Sequence, residues 1–311
     1  MSRTIALTGA TGFIGSTLAC RLERAGWQLR VLVRSKSPRA RLAGIPVQWI
    51  EGDLEDIESL RRLVRSAYAV VHCAGAVRGA FHADFNRVNV AGVARVVQAA
   101  TGKYPLPRFL LISSLAAREP HLSPYAASKW QGEEVLAAGA GEMPWSALRP
   151  AAVYGPGDRE LLPLFRWMRR GIAPVLGPES ARFSLLYVDD LAEAVLRWLE
   201  CRNREPCTFE LHDGRSEGYT WDDVVGTAAC LRRRPVVRLH IPRLILEFLA
   251  VLNLMAARVV GYLPMLTPGK VCELRHPNWV CDNTRFWRET GWTPSVSLEQ
   301  GLRRTLRWDG G

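Results

Sequence analysis

Apolar and polar positions follow two rhythms along the first half of the chain. Short, nearly continuous apolar runs recur at Ile5–Thr8, Leu29–Val33, Val47–Glu51, Ala69–His72, Phe109–Ser113 and Ser146–Leu148. Each has the length of a strand and ends near a turn-forming residue. Between them, over Phe13–Ala25, Ile57–Ser66, Phe85–Ala100 and Tyr125–Ala138, apolar residues return every third or fourth position. That period predicts helices with one buried face. Apolar strands alternating with such helices predict an α/β fold: a doubly wound parallel sheet covered on both sides, with ligands at the carboxyl ends of its strands.

After Pro150 the rhythm breaks. Pro156, Gly157, Pro163, Gly171, Pro174, Gly177 and Pro178 punctuate a stretch read as loop and helix. A strand-like Phe183–Val188 then feeds a helix from Asp189, and Thr208–Leu211 adds a further strand. Residues 1–155 and 183–213 are therefore assigned to the sheet-containing core. Residues 156–182 and 214–311 are assigned to a smaller, mostly helical substrate lobe, with the substrate pocket between the two. The apolar run from Leu244 to Ala257, interrupted by Glu247 and Asn253, is too short to span a bilayer. Leu244, Phe248, Val251, Met255 and Val259 share one helical face. A buried lobe helix or dimer contact is the expected role. A greasy substrate wall and a membrane-surface helix with flanking arginines are the alternatives.

Composition narrows the classes. The 311 residues carry 48% hydrophobic and 23% charged side chains, the balance of a folded domain and not of a disordered chain. The net charge of +11 raises nucleic acid as a partner, but the arginines are scattered and no nucleic-acid motif accompanies them. An anionic substrate, an anionic cofactor or an acidic membrane surface suits the charge equally. Seven dispersed cysteines without a Cys-x-x-Cys pair predict reduced thiols and neither a disulfide framework nor a metal site. The first strand is expected almost at Met1, with no leader before it. A cytoplasmic location, with membrane association left open, follows from these readings.

The first strand opens into Thr8-Gly9-Ala10-Thr11-Gly12-Phe13-Ile14-Gly15. Closely spaced glycines between a strand and a helix build a pyrophosphate site of the Rossmann type. Gly9 permits the sharp turn, Gly12 lets the backbone approach the anion, and Gly15 allows close helix–strand packing. Further on, Ser113-Ser114 closes the fifth strand and Tyr125 and Lys129 stand at i and i+4 of a helix. They face one cleft. A tyrosine needs a neighbouring cation to ionise near neutral pH, and Lys129 is expected to lower its pKa. Ser114 is expected to donate to a substrate oxygen as charge builds on it. At the end of the second strand, Val33-Arg34-Ser35-Lys36 offers no acid for a ribose hydroxyl. Arg34 instead suits a 2′-phosphate, so NADP(H) is favoured and NAD(H) stays open.

With these segments the chain resembles the extended short-chain dehydrogenase/reductases, the NAD(P)-dependent epimerase/dehydratase group. The likeness runs through Gly52-Asp53-Leu54, His72-Cys73-Ala74-Gly75-Ala76, Asn89-Val90-Ala91-Gly92-Val93, Leu148-Arg149-Pro150-Ala151-Ala152-Val153-Tyr154-Gly155-Pro156-Gly157-Asp158, Tyr187-Val188-Asp189-Asp190-Leu191-Ala192 and Gly291-Trp292-Thr293-Pro294. It implies that Tyr125 is the acid/base, that Lys129 also binds the nicotinamide ribose, and that Ser114 orients the substrate. It further implies that Asp53 and Leu54 border the adenine and that Gly9, Thr11, Gly12, Phe13, Ile14, Gly15, Ala74, Gly75, Ala76, Pro150 and Val153 line the cofactor. Asn89 is expected to tie strand to helix, and Asp189 and Asp190 to cap a helix. The likeness also allows a homodimer through core helices.

The chain places Leu115-Ala116 after Ser114, where dehydratases of the group resemble one another in an acidic pair. Arg149-Pro150-Ala151-Ala152 looks like the reductase and hydroxysteroid-dehydrogenase branches. The expected activity is hydride exchange with a ketone or secondary alcohol on a largely apolar small molecule. A nucleotide-sugar epimerase that retains NAD is the alternative, and a non-catalytic nucleotide-binding structural or assembly protein is a second one.

Overall fold

The computed structural model describes residues 4–102, 104–202 and 205–308. The outer ends of the assigned core and lobe, at 1–3 and 309–311, lie outside them. Along the chain come β1 (Thr4–Thr8), α1 (Phe13–Arg24), β2 (Gln28–Val33), β3 (Val47–Glu51), α2 (Ile57–Val64) and β4 (Ala69–His72), with only a short 3₁₀ turn at Ala40–Leu42 between β2 and β3. There follow α3 (His82–Asn89), α4 (Ala91–Thr101), β5 (Arg108–Ile112), α5 (Pro124–Gly139), β6 (Trp145–Pro150) and β7 (Ala152–Tyr154). The remainder comprises α6 (Leu162–Arg170), β8 (Ile172–Val175), β9 (Arg182–Phe183), β10 (Leu185–Tyr187), α7 (Val188–Glu200) and β11 (Cys207–Leu211). Last come α8 (Trp221–Arg232), β12 (Val237–His240), α9 (Arg243–Val260), α10 (Pro268–Arg275), β13 (Asn278–Trp279), α11 (Thr284–Thr290) and α12 (Leu298–Leu306).

Seven strands form one parallel sheet in the order β11-β6-β5-β4-β1-β2-β3. The order reverses at β1, which pairs β2 on one side and β4 on the other. A crevice opens where neighbouring loops leave in opposite directions. Alternate residues of these strands feed two core clusters. One is built around Ile5, Leu7, Leu18 and Leu191, the other around Ala6, Leu60, Val96 and Phe109, which is why the runs read as continuously apolar. A third cluster, with Tyr154, Phe165, Tyr187 and Leu302, joins β7 and β10 to α6, α8 and α12.

Four expectations need correction. The helix read as Phe85–Ala100 is two helices that meet at Val90, which has φ −112° and ψ −66°. At the junction α5 passes so close that a Cβ at Gly132 would lie 2.3 Å from the Asn89 carbonyl. The strand read as Phe183–Val188 changes partner at Ser184: β9 pairs β13, β10 pairs β7, and Val188 already belongs to α7. Within the stretch read as loop and helix, β8 pairs β12 despite Pro174. A two-stranded ribbon has an outer side on which a missing N–H costs nothing.

The fourth concerns the apolar run. It forms α9, yet it is not a buried lobe helix: Leu246, Ala250 and Ala257 are buried while Leu244, Phe248 and Val259 are exposed. Leu246 and Ala250 pack with Val271 of α10 and Leu176, and most of the remaining apolar side chains stay exposed among the described residues.

Candidate functional site

The glycine turn follows β1, and its Gly12 N–H donates to the Gly9 carbonyl at 3.0 Å across Thr11. Gly9 has φ +70°, and a Cβ there would lie 2.6 Å from the Ala74 nitrogen; one at Gly15 would lie 2.1 Å from the Gly9 oxygen. Only glycine fits at either position. Gly12 caps α1 without a side-chain hydrogen bond, and no acidic residue stands in the first turn. The helix start therefore keeps N–H donors and positive potential for an anion. Phe13 and Ile14 open the helix, Phe13 beneath Gly155 and Ile14 against the core. Across the crevice, the Ala74 N–H donates to Thr8 Oγ1 at 3.1 Å. The Asn89 amide holds Ala76 at both its N–H and its carbonyl and donates to Ser128 Oγ. Gly75 is thus presented at the open edge, with the Lys129 ammonium behind it. A pyrophosphate-bearing dinucleotide fits this cradle.

A second cleft of about 610 Å³ lies at the ends of β2 and β3, lined by Arg34, Ser35, Lys36, Ser37, Glu51 and Asp53 among others. The Asp53 carboxylate accepts the N–H groups of Glu55 and Asp56, which turns the chain into α2. Leu54 packs over Gly92 at the start of α4. Pro150 ends β6 opposite Leu211, and Val153 packs on the sheet core.

Ser114, Tyr125 and Lys129 converge where β5 ends and α5 begins. Ser123 caps α5 by accepting the Ala126 N–H at 2.9 Å, which fixes where Tyr125 points. Lys129 turns inward and donates to the Ile112 carbonyl at 2.8 Å. Burial pulls its pKa down to about 8, against the raising influence of Cys73 and Glu133. Burial also pushes the Cys73 thiol up to about 12, while burial and the Lys129 charge push His72 down to about 3. Glu133, buried under Lys129, is held by a two-pronged pair with Arg149 and by Ser113.

The electrostatics of Tyr125 depart from expectation. Burial raises its pKa; Ser114 and the Lys270 ammonium oppose the rise, and Glu273 adds to it. The cation that bears on the phenol is thus Lys270, while Lys129 turns to the Ile112 carbonyl. Lys270 Nζ lies 5.9 Å from the Tyr125 ring centroid and 2.7 Å from Glu273. Burial alone would lower Lys270; the Glu273 carboxylate more than reverses it. Glu273 also accepts from Ser123, so one buried carboxylate ties α10 to the start of α5. A cavity of about 290 Å³ opens at Tyr125, walled by Val77, Phe81, Phe85, Leu254, Pro264 and Met265, with the Lys270–Glu273 pair on its polar side. Phe85 meets the Tyr125 ring edge-on at 6.1 Å.

The model of the NAD dependent epimerase/dehydratase family matches residues 5–210. A ceramide reductase of Caulobacter vibrioides is 35% identical over 98% of this chain and 93% of its own. The chain belongs to the NAD dependent epimerase/dehydratase family. It is an NAD(P)-dependent oxidoreductase of the extended short-chain dehydrogenase/reductase type. A 2-alkyl-3-oxoalkanoate reductase of Stenotrophomonas maltophilia is 28% identical, covering 96% of this chain and 97% of its own. In fold, the chain is similar to the UDP-glucose 4-epimerase of Thermotoga maritima, with a TM-score of 0.76 at 23% identity over 98% of both chains.

Within this family frame, Asp190 does not cap a helix. Its carboxylate accepts the N–H groups of Ser295 and Val296 and the Ser295 hydroxyl, and its carbonyl accepts the Trp292 indole N–H. It binds the Gly291-Trp292-Thr293-Pro294 segment to α7. Lys270 and Glu273 escaped the sequence reading. Lys270 is one of only four lysines in the chain, at 36, 103, 129 and 270. That scarcity was the one available signal.

Proposed function

We propose that the protein reduces a ketone on a long-chain, largely apolar molecule, with NADPH as the hydride donor and Tyr125 as the proton donor. The observation that carries the reading is the largely apolar cavity at Tyr125, with the Lys270–Glu273 pair among its polar lining residues. Such a wall suits aliphatic chains, and Tyr125 offers a hydroxyl for a carbonyl. The names of the ceramide reductase and the 2-alkyl-3-oxoalkanoate reductase support it, since both join a reductase to an aliphatic substrate. A diphosphate-bearing sugar would need several arginines in the cavity, and Arg258 alone stands among its lining residues. That favours the reductase over the epimerase.

Gly9, Gly12, Gly15, Ala74 and Gly75 would cradle the pyrophosphate of the cofactor, and Arg34 with Ser35 and Lys36 would hold a 2′-phosphate. When bound, the nicotinamide supplies the hydride. Ser114 holds the substrate carbonyl by a hydrogen bond that strengthens as negative charge develops on its oxygen. Tyr125 passes its phenolic proton to that oxygen, and the positive charge of Lys270 offsets the phenolate left behind.

The test is turnover of a long-chain 3-oxo compound by the purified protein with NADPH and NADH. Tyr125→Phe is expected to lower kcat by roughly 10²–10⁴-fold while NADPH still binds. Arg34→Asp is expected to weaken NADPH more than NADH. Unchanged turnover in Tyr125→Phe removes the proton donor, and NAD released only on denaturation would return the epimerase.

A further inference from the structure

The largest surface feature that the reductase reading leaves unused is α9. Its 18 residues make a rod of about 27 Å. Eleven of the twenty large apolar residues exposed among the described residues fall between Leu244 and Leu263. Val259 is 87% exposed, Leu244 77% and Val260 74%, values that leave most of each side chain uncovered. At about 100° per residue, buried Leu246, Ala250 and Ala257 occupy one narrow stripe. Nine large apolar side chains, from Leu244 to Val260, fill roughly the opposite half-cylinder, and no charged residue interrupts them. Arg243, Glu247 and Arg258 stand together along one border of that arc.

We propose that this half-cylinder lies in the interfacial layer of an anionic lipid bilayer. A second protein helix covers one stripe of a rod, whereas a fluid apolar phase covers an arc this wide. Among the described residues no helix is long and apolar enough to cross a membrane, so α9 rests on the bilayer instead of spanning it. The border chemistry suits anionic headgroups. Glu247 is neutralised by Arg243 at 2.6 Å, Arg258 pairs with no carboxylate among the described residues and lies over the Phe81 ring at 5.1 Å, and exposed Arg233 and Arg234 precede the approach to the helix. The chain's net charge of +11 points the same way.

The apolar surface also continues to the cavity at Tyr125. Leu254 and Arg258 of α9 line that cavity together with exposed Val77 and Phe81, the latter beneath Arg258. A lipid lifted from the leaflet would reach Tyr125 without crossing bulk water. The docking face stands without the reductase reading; only this route rests on it.

Flotation of the full chain with vesicles tests the face directly, independent of turnover. The vesicles are phosphatidylcholine alone, or phosphatidylcholine and phosphatidylglycerol in equal parts. The wild type is expected to float with the mixed vesicles and to be released in part by high salt. The Phe248→Glu/Val259→Glu double variant is expected to lose roughly tenfold or more of that binding. Trp287→Glu, an exposed aromatic on α11, is expected to keep it. Failure of the wild type to float with either vesicle overturns the proposal, and so does undiminished binding by the folded double variant. A wild-type dimer in lipid-free buffer that the double variant converts to monomer also overturns it, because a second copy then covers the face.

Discussion

Lys270 is one of the groups that bear on the Tyr125 phenol, after burial and Ser114. Of the two lysines near the site, Lys129 donates to the Ile112 carbonyl, while Lys270 lies over the phenol ring and opposes the upward pull of burial. Removing the Lys270 charge leaves burial and Glu273 unopposed, so the Tyr125 pKa must rise. With Tyr125 as the proposed proton donor, the protonated phenol is the competent form in the reductive direction, and kcat/KM is expected to fall as pH passes its pKa. Lys270→Met is therefore expected to move the alkaline limb of that profile to higher pH, and Lys270→Arg to leave it in place. An unmoved limb in Lys270→Met, with the protein folded, would show that the lysine serves only to pair Glu273. Ser114, Tyr125 and Lys129 were legible because a strand end and an i, i+4 helical pair bring them together locally. Lys270 was not, since only the packing of α10 on the start of α5 carries it there.

Asp190 sets the corresponding problem at the scale of elements. In sequence, an acid in the first turn of a helix reads as a cap or a dipole partner, and that reading is complete without tertiary information. In the fold its carboxylate is buried and satisfies three donors from the segment before α12. Asp190→Ala would leave the buried Val296 N–H without its acceptor and release the segment. We expect a loss of roughly 2–4 kcal/mol in urea unfolding, and Asp189→Ala to cost much less. Equal effects would return both residues to helix capping. The strand alternation and the glycine turn were legible because each is a short-range pattern with one physical solution. The pairing of β8 with β12, the change of partner at Ser184 and the break at Val90 depend on what each segment meets. No local pattern encodes that.

For the whole molecule, periodicity announced an apolar face on α9 but not which way it points. A buried helix and a membrane-lying helix share the same pattern until the neighbours are known. Among the described residues the neighbours fully bury just Leu246, Ala250 and Ala257 of α9, so this apolar helix faces outward beside the cavity at Tyr125. If the ketone arrives in that cavity from a bilayer, the rate follows its surface concentration and not its amount per volume. Diluting a long-chain ketone with phosphatidylglycerol at constant total ketone is then expected to slow NADPH oxidation. The Phe248→Glu/Val259→Glu variant is expected to lose turnover of the vesicle-borne ketone while turning over a short, water-soluble one at the wild-type rate. Loss of both activities would place α9 in the integrity of the cavity. Loss of neither would mean that substrate enters from water, past a helix face that serves some other contact.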